Sequence, residues 1–215
     1  MNSRIDHFMY AVPSLDEGMT WAADVFGVAP AYGGEHVGLG TRNALLSLGD
    51  TYLEIIAPDP AQEPLGPMGQ RFAELSEGGL VTWAVQGQLN AIADTLNSLG
   101  IETNGPNRTE RNTAEGELLV WELLFPVATS YGSRMPFFID WLECAHPSKT
   151  TPNGGQFQSL SITHPEAESL NAALRAIGLD VTVEAGEPNI SLEIETTKGP
   201  LTLSSTAETT VIAMR

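Results

Sequence analysis

The chain has 215 residues, 42% of them hydrophobic, and a formal net charge of −17. That length suffices for one large or two small domains with a real core, and the negative charge opposes phosphate backbones and anionic membranes, so neither nucleic acid nor membrane is an expected partner. No apolar stretch reaches the roughly 18 residues of a membrane span, MNSRIDHF has no secretory hydrophobic region, and the lone Cys144 excludes an intrachain disulfide or a cysteine-based zinc site. Together these features predict a cytoplasmic protein.

Ile5 to Val12 is β-rich and is bounded by Pro13. Ser14-Leu-Asp-Glu17 is a capping box, and Leu15, Met19, Ala22 and Phe26 recur at helical spacing until Gly27 stops the helix. Ala29 to Gly34 reads as a short strand or loop. Thr41 to Leu48 and Thr51 to Ala57 read as two strands joined at Gly49-Asp50, a strong hairpin signal. In the second of them Glu54 lies between Leu53 and Ile55. A carboxylate there faces either water or a polar cavity, and lining a cavity requires a partner; His7 on the first strand is the candidate.

Residues 57–79 are rich in Pro and Gly and read as a connection, with one helical turn near Arg71 to Leu75. Leu80 to Gln86 is a strand. Leu89, Ile92, Ala93, Leu96 and Leu99 make a helical stripe ended by Gly100. Ile101 to Thr103 reads as a strand, Asn104 to Gly116 as an exposed loop, and Leu118 to Phe125 and Pro136 to Leu142 as further strands. The order strand, helix, three strands has therefore occurred twice. HFMYAV lies over LVTWAV and TYLEII over FFIDWL, which matches His7 with Leu80 and Glu54 with Asp140.

After the junction HPSKTTPNGG the pattern starts a third time. Phe157 to Thr163 is a strand, and Pro165 is placed as a first helical residue. Leu170, Ala173, Leu174 and Ile177 form the stripe. Asp180 to Glu184, Ile190 to Thr196 and Pro200 to Ser204 are strands, and Thr209 to Met214 adds a last one. Ser159 and Thr202 occupy the positions of His7 and Glu54, so this unit has the scaffold without the ligand-type residues.

Several side chains are candidates for binding a small molecule. His36 lies in the glycine-rich GGEHVGLGT, placed either as a surface histidine or as an acid or base beside a cavity. Thr41 and Asn43 alternate and share a face. Trp83, Trp121 and Trp141 sit on predicted strands, as core residues or as walls of an apolar pocket. Arg134 would hold an anionic group or pair with one of the many acids. His146 and His164 each precede a proline and read as turn residues.

The repeated unit, the opening IDHFMYAVPSLDEGMTWAADVFGV, the stretch GGEHVGLGTRNALLSLGDTYLEIIAPDP, and PFFIDW followed by His146-Pro147-Ser148 together resemble the glyoxalase-like domain family of the vicinal oxygen chelate superfamily. The resemblance implies an α+β protein of tandem βαβββ modules. Residues 1–148 would form one domain from modules at about 4–58 and 80–143, paired around a cavity, and 155–215 a third module that packs on that domain or pairs across a homodimer. It also implies metal positions on the first and last strands of each paired module, here His7, Glu54, Leu80 and Asp140. Leu80 cannot ligate, and the other three would hold one divalent ion such as Zn, Mn, Fe or Ni.

The function this implies is metal-assisted lyase, isomerase or dioxygenase chemistry on a small oxygen-containing molecule, with Glu54 or His36 moving a proton. The alternatives are a metal-free protein that sequesters a small molecule, motivated by Leu80 and the tryptophans, and a structural partner in a larger complex.

Overall fold

The computed structural model describes residues 3–112 and 118–212. Its strands are β1 (Arg4–Ala11), β2 (Ala31–His36), β3 (Thr41–Ser47), β4 (Tyr52–Pro58), β5 (Gly79–Gln86), β6 (Thr103–Asn112), β7 (Leu118–Pro126), β8 (Phe137–Asp140), β9 (Gly155–Thr163), β10 (Val183–Glu184), β11 (Asn189–Thr196) and β12 (Gly199–Ser204). The helices are α1 (Leu15–Phe26), α2 (Pro67–Ala73), α3 (Leu89–Ser98), α4 (Ala167–Ala176) and α5 (Ala207–Thr210).

Local chemistry explains the first unit. The Ser14 side chain accepts from the Glu17 amide at the start of α1, and Gly27 ends the helix in the left-handed region with φ 77°, where a Cβ would be strained. Leu15, Gly18, Ala22 and Phe26 form the buried stripe. Strands β3 and β4 then pair antiparallel from Thr41↔Pro58 to Ser47↔Tyr52.

The first two units share an eight-stranded sheet in the order β2-β3-β4-β1-β5-β8-β7-β6. β1 and β5 pair antiparallel at its centre, and each also pairs in parallel with the last strand of its own unit, β4 and β8. The third unit forms a separate sheet, β10-β9-β11-β12. Ile162, Ile190, Leu192, Ile194 and Leu203 from that sheet join Phe8, Leu46, Trp83, Val85 and Phe138 from the large one in a single buried cluster with the helices. The third unit therefore covers the helix-side face of the large sheet, and its outward residues Ser159, Ser161, Glu193, Glu195 and Thr202 are exposed.

The opposite face of the large sheet carries a second cluster, which includes Met9, Leu45, Tyr52, Ile56, Phe72, Val81, Trp121, Phe137, Ile139 and Trp141. Here the sheet encloses a cavity of about 690 Å³, and α2 brings Met68 to its edge.

Four expectations change. Asn104 to Asn112 belongs to β6, paired with β7 from Thr103↔Pro126 to Asn112↔Leu118; its polar residues mark a strand with a wet face, and 113–117 lie outside the described residues. The one expected helical turn is α2, from Pro67 to Ala73. Helix α4 begins at Ala167, after Pro165. The expected last strand is replaced by α5, whose Thr206 and Thr209 side chains form a reciprocal cap; 213–215 lie outside the described residues.

Candidate active site

Alternation along β1 and β4 sends His7, Met9, Tyr52, Glu54 and Ile56 to the cavity and Phe8, Leu53 and Ile55 to the helix-side core. His7 Nε2 lies 3.5 Å from Glu54 Oε2, and the two side chains are 3% and 7% exposed. On its other edge His7 Nδ1 is 2.7 Å from Asp6 Oδ1. The fully buried Asp6 also accepts from Trp141 Nε1 at 3.1 Å, and its Oδ2 is 3.1 Å from His146 Nε2. Tyr52 stacks on the His7 ring with centroids 4.5 Å apart. The imidazole is thus fixed in both position and rotation.

A second imidazole meets Glu54 from β2. His36 Nε2 is 3.7 Å from Glu54 Oε1. The Asn43 amide sits between them, donating to Glu54 Oε1 at 2.6 Å, with its Nδ2 3.3 Å from His36 Nε2. His36 Nδ1 is 2.9 Å from Thr41 Oγ1. With the Asn43 amide donating to Nε2, the His36 proton belongs on Nδ1, donated to Thr41.

These contacts set the charges. Burial pushes the His7 imidazole down, but the hydrogen bonds and charges of Asp6 and Glu54 outweigh it and raise its pKa to about 9. Burial pushes the Glu54 carboxyl up, yet the hydrogen bond from His7, the charges of His36 and His7 and the Asn43 amide bring it to about 2. Asp6 likewise overcomes burial, through His146 and His7, and reaches about 2. His36 is held below its ordinary value by burial, which the Glu54 charge only partly opposes. At neutral pH the floor of the cavity therefore holds an imidazolium, a carboxylate and a neutral imidazole in contact.

Of the residues singled out in the sequence, His7, His36, Thr41, Asn43, Glu54, Trp121 and Trp141 line the cavity. Three others do not. Trp83 is fully buried in the helix-side core, with Nε1 donating to the Arg134 carbonyl. Arg134 is buried beneath α5 and donates to the Thr210 carbonyl at 2.7 Å. Asp140 is placed opposite Glu122 of β7 and accepts from the Leu142 amide, while its neighbours Ile139 and Trp141 take the cavity side. Leu80 also faces the helix-side core.

The pairing registers match the two units differently from the sequence: Met9↔Thr82 and His7↔Ala84 are symmetric about Phe8↔Trp83, which sets Thr82 at the place of His7, and Ala84↔Phe137 repeats Met9↔Glu54, which sets Phe137 at the place of Glu54. Both are buried, and the Thr82 hydroxyl donates to the Ser133 carbonyl. Phe137 has no ligand atom and Thr82 only that hydroxyl, so the ligand set that the resemblance implies is not assembled. Among the described residues no three His, Cys, Asp or Glu side chains are arranged to hold a metal ion.

Sequence reading missed Arg111, Tyr52, Asp6 and His146. Arg111 was hidden in a segment read as loop, and His146 by the proline after it. A buried Asp next to a candidate histidine was the available signal for Asp6.

The glyoxalase-like domain model matches residues 5–178. The chain belongs to the glyoxalase-like domain family. No curated protein matches it. A hypothetical protein from Staphylococcus aureus shares the fold of this glyoxalase-like chain with a TM-score of 0.65 and 17% identity, over 94% of this chain and 88% of the other. A methylmalonyl-CoA epimerase from Mycobacterium tuberculosis aligns over 63% of this chain and 84% of its own at 20% identity, with a TM-score of 0.44. No helix among the described residues is long and apolar enough to cross a membrane.

Proposed function

We propose that the protein is an enzyme that moves a proton on a small oxygen-containing organic molecule held in the cavity, in chemistry of the isomerase or lyase type. The observation that carries this reading is the buried Glu54 carboxylate set between the His7 and His36 imidazoles, at the floor of an otherwise largely apolar cavity. Groups driven to different pKa values in one site are the usual arrangement for dividing acid from base.

Each residue has a role that its surroundings dictate. His36, neutral at pH 7, is the base: Nε2 takes a carbon-bound proton once a ligand displaces the 3.3 Å contact with Asn43. Glu54 stabilises the imidazolium that then forms. His7 is the electrophile. Its Nε2–H has only a long contact with Glu54, so it can donate to a ligand oxygen that gains negative charge as the proton leaves. Asp6, held by Trp141 and His146, keeps His7 charged and aimed. Because Thr82 and Phe137 stand where the family's second pair of ligands is expected, no step is routed through a metal.

The test is exchange of carbon-bound hydrogen next to a carbonyl in D2O, followed by proton NMR on a panel of small 2-oxo acids and ketones. We expect exchange with wild-type protein and loss of at least a hundredfold in both Glu54→Gln and His36→Asn. Compounds that bind without exchanging, in wild type as in the variants, would instead make this a protein that sequesters its ligand.

A further inference from the structure

The described part of the cavity wall contains one arginine, Arg111 on β6. β6 alternates so that Thr109 and Arg111 face inward, opposite Trp121 and Leu119 of β7. The guanidinium is partly buried, and among the described residues it takes part in no ion pair and makes one long hydrogen bond, Nη1 to Asn43 Oδ1 at 3.4 Å. Desolvating a cation is costly unless it meets an anion. The chain has only 10 Lys and Arg against 27 acids, yet it places one of them on the wall of a cavity that Trp121, Phe125 and Leu123 also line. Burial holds the Arg111 pKa below its ordinary value, although the buried Glu54 charge supports the cation, and Glu35 and Glu110, also at this cavity, are exposed, so water screens their charge.

The backbone makes room for this guanidinium. A Cβ at Gly34 would lie 2.5 Å from Arg111 Nη1, and one at Gly33 would lie 2.2 Å from Asn43 Oδ1. The pair Gly33-Gly34 on β2 is therefore a shelf against which the Asn43–Arg111 contact rests. Through Asn43, Arg111 is two hydrogen bonds from Glu54. A group held on Arg111 would sit one small-molecule length from the two imidazoles.

We propose that Arg111 is a specificity-determining residue that anchors a carboxylate, and that the substrate class is a small carboxylic acid with an apolar, preferably aromatic, body. The fork of the guanidinium matches a carboxylate in two parallel hydrogen bonds. With the carboxylate there, the carbon next to it or one further faces His36 and His7, and the apolar body lies along Trp121, Trp141, Phe125 and Phe137. This inference rests on the proposed proton-transfer reading for the role of those carbons, but the anchor itself does not.

Calorimetry with matched pairs tests it: phenylpyruvate against benzyl methyl ketone, and phenylbutyrate against its primary amide. Wild-type protein should bind each acid at least tenfold more tightly than its neutral partner. Arg111→Met should remove that preference, and Arg111→Lys should keep part of it, with urea unfolding checking that both variants are folded. Acids that bind no better than their neutral partners, or a preference that survives in Arg111→Met, would overturn the anchor. Hydrogen exchange separates the two claims. Acid preference without exchange leaves the anchor standing and removes the proton-transfer reading. Exchange that is equal on ketone and acid, and unchanged in Arg111→Met, does the reverse.

Discussion

Asp6→Asn is the most informative perturbation, because it removes one of the two carboxylates that hold His7. In the unfolded chain an imidazole titrates near 6.5, and in the folded protein His7 titrates at about 9. The folded pKa is raised, so the stabilisation is fully present below pH 6.5 and is lost as pH rises through 9. Between those values the native state keeps a proton that the unfolded state has released, and stability falls by up to about 1.4 kcal/mol per pH unit. Over that interval the loss is about 3 kcal/mol. His36 acts in the other direction: its folded pKa is lowered, so stability rises with pH up to about 6.5. The two imidazoles together place a stability maximum near pH 6.5.

In Asp6→Asn the new amide presents N–H toward Trp141 Nε1–H or His146, and His7 keeps only Glu54. Breaking a buried pair costs about 3–5 kcal/mol, and the fall between pH 6.5 and 9 should shrink to about half. Urea unfolding of both proteins from pH 5 to 9.5 measures this. Equal wild-type stability at pH 6.5 and 9, or an undiminished fall in the variant, would refute the reasoning.

Gly34→Ala should push the Arg111 side chain aside, since the new Cβ would lie 2.5 Å from Nη1 at a backbone φ of 147°; we expect carboxylate affinity by calorimetry to drop about tenfold and stability by about 1 kcal/mol. Asp140→Asn should leave ligand binding and hydrogen exchange unchanged, because Asp140 accepts from the Leu142 amide and does not line the described cavity, whereas Glu54→Gln should abolish exchange. Arg134→Met should leave cavity binding intact. Among the described residues its Nε and Nη1 have no hydrogen-bond partner, so the lost hydrogen bonds to Ser133 and Thr210 are offset by removal of a buried cation, and urea unfolding should shift by less than about 1 kcal/mol.

The hairpin was legible because its turn is marked by Gly49-Asp50 and its strands by β-branched and leucine runs. The reason to pair Glu54 with His7 was equally local: a carboxylate between Leu53 and Ile55 has nowhere to point but water or a polar partner. What failed was long-range phase. Matching FFIDWL to TYLEII set Asp140 at the position of Glu54, but the β5–β8 pairing puts Phe137 there, with Ile139 and Trp141 also on the cavity face. Composition misled for β6, where TNGPNRTERN carries a strand's alternation without a strand's usual residues. Arg111 could have been found only from that alternation. The tryptophans split for a related reason. Trp83 faces the helices and the other two face the cavity, and only the register decides which.

The central claim is that Glu54 binds a charged and a neutral imidazole at once. Long-range proton–nitrogen spectra of the histidine rings at pH 7 test it directly, in wild type and in Glu54→Gln. The account predicts His7 protonated on both nitrogens and His36 on Nδ1 alone, with both patterns altered by the substitution and His164 unmoved. A neutral His7, a charged His36, or a Glu54→Gln spectrum in which neither ring responds would contradict it.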